Sequence, residues 1–146
     1  MAVKMDFYLY VTSDTSNDYF ANTPSEFMIE APYRIQNLSG QWECALVEVS
    51  LDCQFTPKVD RLYLCGDFLG ESFIDGRSAQ VLRNLEVRGT YKRYLNERYS
   101  DRIYVDVIPG HKSKFRFSLM GEDLNKVEFQ SNKLHVVLHF RQKLCT

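Results

Sequence analysis

The sequence predicts an all-β fold. Apolar and polar residues alternate at period two over short segments, and Gly, Pro, Asn, Asp or Ser clusters interrupt them every roughly 8 to 15 residues. No segment sustains an apolar stripe at the 3.6-residue spacing of a helix. About eight segments fit the strand pattern, a number suited to a two-layered sandwich.

Taken in order, Asp6–Thr12 and Glu26–Glu30 are short alternating strands. Gln41–Leu51 carries Trp42, Cys44 and Leu46 on one face and Ala45, Val47, Val49 and Leu51 on the other. Such a segment is either buried on both sides or bulged midway, and in both cases central in its sheet. Arg61–Cys65, Ala79–Arg88 and Arg102–Ile108 follow. Phe115–Leu119 alternates strictly, and Leu134–Arg141 turns Leu134, Val136, Leu138 and Phe140 one way and His135, His139 and Arg141 the other. Ser39-Gly40, Asp75-Gly76, Pro109-Gly110, Gly121-Glu122-Asp123 and Ser131-Asn132 supply places where the backbone can reverse. Two stretches are read as loops: the polar Ser13–Thr23, built around Tyr19 and Phe20, and the basic, tyrosine-rich Gly89–Asp101.

A chain of 146 residues buries roughly 69% of its extended surface on folding. That is enough for one core without disulfides or metal and too little for two, so residues 1–146 are expected to form one domain. With 18 basic and 19 acidic residues the net charge is −1, which leaves no overall basic field for nucleic acid. The halves differ: residues 1–73 carry four Lys/Arg against eleven Asp/Glu, and 74–146 carry fourteen against eight. Opposite patches could orient neighbouring subunits, or the two halves could interleave in space and cancel. No apolar run is long enough to span a membrane, and the opening residues lack the pattern of a secretory leader. Cys44, Cys53, Cys65 and Cys145 have no metal-site spacing and are expected as free thiols in a reducing compartment.

Reactive constellations are scarce. Histidines number three, and on a strand His135 and His139 stand about 13 Å apart at roughly 3.3 Å per residue, too far to share an ion. They are expected to line an exposed or interface face, and His111 is read as a solvated loop residue. Gly66-Asp67-Phe68-Leu69-Gly70 lacks the lysine and the following helix of a phosphate cradle. Glu43 and Glu48 differ by an odd number, so they face opposite ways unless a bulge intervenes, and a shared acid–base site is disfavoured. The series Arg83, Arg88, Lys92, Arg93, Arg98 and Arg102, interleaved with Tyr91, Tyr94 and Tyr99, superficially matches a single-stranded nucleic-acid platform. Tyrosine and arginine are equally the residues of protein interfaces, and Glu97 and Asp101 dilute the charge. No catalytic residue, metal or cofactor is expected.

The run Asp18-Tyr19-Phe20-Ala21-Asn22-Thr23, then Phe27, Ile29, Pro32, Ile35 and Leu38, leads into Ser39-Gly40-Gln41-Trp42-Glu43-Cys44-Ala45-Leu46-Val47-Glu48-Val49. This pattern resembles the N-terminal signature of penton-type minor capsid proteins of Polinton (Maverick) elements and their adintovirus relatives. In that family a polar loop leads to a Gly-x-Trp-Glu-x-Ala-Leu-x-Glu-Ile/Val strand. Arg61–Asp67, Ala79–Val87 and Val136–Arg141 follow the family's order of strands, so the similarity spans nearly the whole chain. Two departures stand out: Ser50-Leu51-Asp52-Cys53 replaces the family's usual Tyr-Pro pair, and the chain ends soon after Arg141, where some penton proteins continue into a projecting domain.

The resemblance implies an eight-stranded single jelly-roll β-sandwich acting as a structural subunit rather than an enzyme. It implies a homopentamer at the five-fold vertices of a virion or virus-like particle, assembled in the host cytoplasm or nucleus beside a major capsid protein. Tyr19, Phe20, Tyr91, Tyr94 and Tyr99 are the expected contact residues. No small-molecule substrate, membrane span or direct nucleic-acid partner is implied. The competing reading is a β-sandwich binding or interaction module, lectin-like or captured from an element by a host. A cupin-like enzyme, which would need clustered histidine and carboxylate ligands, fits least.

Overall fold

A computed structural model describes residues 5–14, 19–33, 35, 40–52, 60–87, 94–109, 113–127 and 133–143. Eleven strands run through these residues: β1 (Asp6–Thr12), β2 (Glu26–Glu30), β3 (Trp42–Asp52), β4 (Arg61–Gly66), β5 (Ser72–Ile74), β6 (Arg77–Ala79), β7 (Val81–Glu86), β8 (Tyr94–Arg98), β9 (Val105–Asp106), β10 (Lys114–Met120) and β11 (Leu134–Gln142). They form two antiparallel sheets and a hairpin. Sheet A has the order β1-β11-β3-β8, with β9 beside β8 along the same edge of β3; sheet B has the order β2-β10-β4-β7; β5 and β6 pair with each other.

Alternation in the sequence becomes two-sidedness in the sheets. In β1 the side chains of Phe7, Leu9 and Val11 turn inward while Asp6, Tyr8 and Tyr10 stay exposed. From sheet A, Phe140 stacks on Phe7 with ring centres 5.1 Å apart, and Trp42 meets Phe7 edge-on at 5.6 Å. Sheet B contributes Phe27, Phe115, Phe117, Leu62, Leu64 and Leu85, all buried in the cluster that also holds the inner residues of sheet A. Phe68, from the turn after β4, stacks on Phe115 at 3.9 Å, meets Phe117 edge-on at 5.2 Å and lies 6.1 Å from Phe140. One ring therefore ties both layers. Its approach requires Gly66, where a Cβ would lie 2.6 Å from the Phe68 ring.

The long central segment is bulged, as one of its two readings required. β11 pairs Val137 with Glu48 and the next residue, Leu138, with Leu46, which leaves Val47 as the extra residue on β3. Trp42, Cys44 and Leu46 before the bulge and Val49 and Leu51 after it consequently all belong to the core. The bulge is also the stated exception to the parity argument about the carboxylates: Glu43 and Glu48 share the outer face of sheet A. Each has its own cation, Arg141 Nε at 2.6 Å from Glu43 and Arg98 Nη2 at 3.4 Å from Glu48.

Three segments differ from their sequence reading. Part of the expected loop Gly89–Asp101 is strand β8: an edge strand in which Leu95 is buried and Asn96, Glu97 and Arg98 are exposed carries almost no alternation to read. Ala79–Arg88 divides at Gln80, whose side-chain amide donates to the carbonyls of Asp67 and Leu69 and whose own carbonyl accepts from Gly66. Within Arg102–Ile108 the bonding to β3 is confined to Val105 and Asp106, which pair with Cys44 and Glu43, and to Val107, whose N–H donates to the Trp42 carbonyl; the preceding residues leave the sheet to cross its outer face. Asp75 and Gly76, at φ 48° and 79°, make the left-handed turn of the β5–β6 hairpin that this dipeptide favours. Cys53, Cys145, His111, Arg88, Lys92, Arg93, Tyr91 and the Ser131-Asn132 turn lie outside the described residues.

Phe68→Ala should lower the unfolding free energy by about 3–5 kcal/mol, whereas Phe73→Ala, at a ring 67% exposed, should change it by no more than about 0.5 kcal/mol. Urea titration of the two variants checks the contrast.

Candidate interaction surfaces

Of the polar loop, Tyr19–Thr23 lie on sheet B, whereas Ser13 still bonds Leu134 of β11. Asn22 uses its side chain as a short strand would: its Oδ1 accepts from the Met28 N–H at 2.9 Å and its Nδ2 donates to the Met28 carbonyl at 3.2 Å. This occupies the free edge of β2. Thr23 and Glu26 close a small turn beside it. The two aromatics before Asn22 rest over cations of the neighbouring strand, with Lys114 Nζ 4.6 Å from the Tyr19 ring centre and the Arg116 guanidinium 5.1 Å from that of Phe20. Desolvation and the Glu30 carboxylate, to which its hydroxyl donates, push the Tyr19 phenol above its ordinary value.

Tyr99 belongs elsewhere. Its ring packs against the core at the β7–β8 end of the sandwich, with the Arg83 guanidinium 3.7 Å above it. Arg83 also donates to the Asp101 carbonyl at 2.9 Å, so its charge is committed to closing this end. The expected contact residues are thus not brought together: Tyr19 and Phe20 lie on sheet B and Tyr99 at the opposite end of the strand order. Tyr94 sits in β8 with a side chain outside the described set, and Tyr91 falls outside it altogether.

Sheet A carries a denser cluster. His139, expected to line an exposed or interface face, is 6% exposed. Its Nε2 is 2.8 Å from Asp6 Oδ2 and its Nδ1 is 2.8 Å from the Tyr104 hydroxyl. The Tyr8 ring lies 4.7 Å from the imidazole, and Arg141 lies 3.4 Å over the Tyr104 ring. Arg102 donates to the Tyr8 hydroxyl at 3.1 Å. The residues between β8 and β9 therefore form a strap over sheet A, and the bulge explains where it leaves. Tyr99, the last residue before the strap, donates to the carbonyl of the bulge residue Val47 at 2.8 Å. Ala45, the cross-strand neighbour of His139, is fully buried on this outer face because the strap covers it.

The imidazole is thus held from both sides, by the Asp6 carboxylate at Nε2 and the Tyr104 hydroxyl at Nδ1. Both ring nitrogens are engaged, which fits a brace for the strap better than an open acid–base site. Outward alternation in β1 was the signal that could have exposed Tyr8 and Tyr10; nothing local in the sequence places Arg102 and Tyr104 beside them.

A second surface feature is a concavity of about 640 Å³ on the outer face of sheet B, between the β5–β6 hairpin and the loop after β10. Cys65, Ser118 and Met120 line it from the sheet, with Asp67, Glu71 and Glu26 among its acidic groups. Arg116 Nε and Lys126 Nζ lie 3.7 and 2.8 Å from Glu26. Cys65 cannot serve there as a thiolate near neutrality, because burial pushes its thiol up to about 11. Burial likewise holds Cys44 well above its ordinary value. Among the described residues no group of three or more His, Cys, Asp and Glu is arranged to hold a metal ion. No helix among them is long and apolar enough to cross a membrane. Compared with known protein families and with curated proteins, the chain matches none.

Tyr104→Phe should cost about 1–3 kcal/mol in unfolding free energy by leaving buried Nδ1 without its hydrogen-bond partner, measurable by urea denaturation. In a Cys53→Ser/Cys145→Ser variant, Cys44 and Cys65 should react with a thiol reagent at pH 8 only after unfolding. Their folded values lie above the unfolded one, so their contribution to stability is full below about pH 9 and lost as pH rises through about 11 for Cys65. Thermal melts across that range should show the decline.

Proposed function

We propose that the chain is a penton-type minor capsid protein, a structural subunit whose work is assembly rather than catalysis. In this reading it folds as an eight-stranded single jelly roll and forms the five-fold vertices of an icosahedral particle as a homopentamer beside a larger shell protein. The observation that carries the reading is the strand order. With the β5–β6 hairpin set aside and β8 and β9 taken as one interrupted strand, the chain visits eight positions, four in each sheet. The first strand lies beside the last and the second beside the next to last, as the double Greek key of a jelly roll requires.

The motif residues support the same reading through their structural roles. Gly40 adopts φ 118° at the entry to β3, Trp42 and Leu46 fill the core, and Asn22 occupies the edge of β2. Exposed aromatics in charged surroundings fit a surface meant for protein contact. The resemblance to Polinton and adintovirus penton proteins supplies the identity of the assembly.

Native mass spectrometry of the purified chain, repeated over a hundredfold concentration range, tests this. A species of five chains is the expected result. A single-chain mass at every concentration overturns the proposal, and saturable binding on a glycan array by such a monomer would establish the binding-module reading in its place.

A further inference from the structure

Resting on that reading, we propose that the ring closes by a face-to-face contact between copies. The Tyr8, Tyr10 and Arg102 surface on sheet A of one copy seats in the concavity on sheet B of the next. A ring of identical subunits needs two different patches on each copy, directed so that repetition closes on itself. The outer faces of the two sheets are the opposite sides of the sandwich, and each carries one such patch.

The first patch projects. Tyr10 is 68% exposed, Ile103 52% and Tyr8 46%. The Tyr8 hydroxyl and Arg102 hold each other, so the tyrosine is fixed before any partner arrives. β1 is also the less protected edge of the pair β1 and β2. Its seven residues run in unbroken register with β11. Among the described residues none plays for Tyr8 and Tyr10 the part that Asn22 plays for β2. Natural proteins cover or blunt an edge strand that carries exposed aromatics, and a second chain is one such cover.

The second patch recedes. Its floor is Cys65 and Met120, and Leu124 and Ile108, the latter 43% exposed, stand at its margins. Charge favours this pairing over two like faces. Arg102 is exposed and, among the described residues, has the Tyr8 phenol rather than a carboxylate for a partner. On the rim Glu71 is exposed and in no ion pair among the described residues, while Glu26 is already matched by Lys126 and Arg116. An unmatched cation on one face and an unmatched carboxylate on the other are complementary between copies.

Two variants separate the faces. Tyr10→Glu sets a carboxylate against the acidic rim, and Ser78→Trp fills the concavity from an exposed position on β6. Each alone should keep the wild-type circular dichroism and unfolding midpoint, and each should fall to a single-chain mass at concentrations where the wild type is assembled. Mixed one to one, they retain one intact face of each kind and should give a two-chain species and nothing larger. If the wild type assembles and either variant assembles as well, or if the mixture stays at single-chain mass, the contact lies elsewhere and this inference falls while the capsid reading stands. A wild type that is a single chain throughout overturns both.

Discussion

Every strand pairing in the two large sheets joins one half of the chain to the other. β1, β3, β2 and β4, all before residue 67, alternate across the sheets with β11, β8, β10 and β7, all after residue 80. Neither half can build even a two-stranded piece of these sheets alone, so the backbone hydrogen bonds, the core and the surface depend together on one long-range docking event. Loop closure must be achieved before those contacts stabilise anything, which makes this a slow-folding topology. The charge asymmetry of the sequence acquires its meaning here. Acids of the first half meet bases of the second across strands: Glu26 with Arg116 and Lys126, Glu43 with Arg141, Glu48 with Arg98, and Asp14 with Lys133. Such exposed or half-exposed pairs each contribute little. Like charges on adjacent strands would disfavour the docking, however, and the segregation of charge along the chain avoids them.

The same docking organises the core around Phe68. This ring comes from a turn, not a strand, and touches phenylalanines of both layers. The turn is secured from two sides. Asp67 exchanges bonds with Arg116 through its carboxylate and its N–H, and Gln80 spans its carbonyls. A segment that fails as a phosphate cradle thus serves as the plug between the sheets. Trp42 belongs to the same core, although its indole N–H is buried without an acceptor among the described residues. Its value there is apolar area rather than hydrogen bonding.

Surface chemistry follows from what the strands leave uncovered. Bulging β3 at Val47 interrupts the neighbouring edge strand and releases the strap that buries His139 and Ala45. It also fixes Arg102 against Tyr8. On sheet B, the loop with Tyr19 and Phe20 is anchored over Lys114 and Arg116. These aromatics hold their own loop in place, and Tyr8 and Tyr10 of β1 are more exposed than Tyr19. A scaffold with one projecting face and one receding face is suited to repetition, which is the physical content of the assembly reading.

By itself the sequence determined the all-β class, the alternating inner and outer residues of β1, β10 and β11, the Asp75-Gly76 reversal and the bulge as one of two options for β3. Each is a local property, fixed by side-chain period or by the backbone preferences of glycine and its neighbours. Only the tertiary structure decided which strands pair and that the two charge halves interleave. It also decided that β8 is a strand although its composition reads as loop, and that Tyr19, Phe20 and Tyr99 do not share a surface. Those outcomes depend on residues far apart in the chain coming to opposite sides of a hydrogen bond or a ring. Nothing in the residues near Arg102 announces Tyr8, and nothing near Asp6 announces His139, because only the pairing of the first strand with the last brings them within reach.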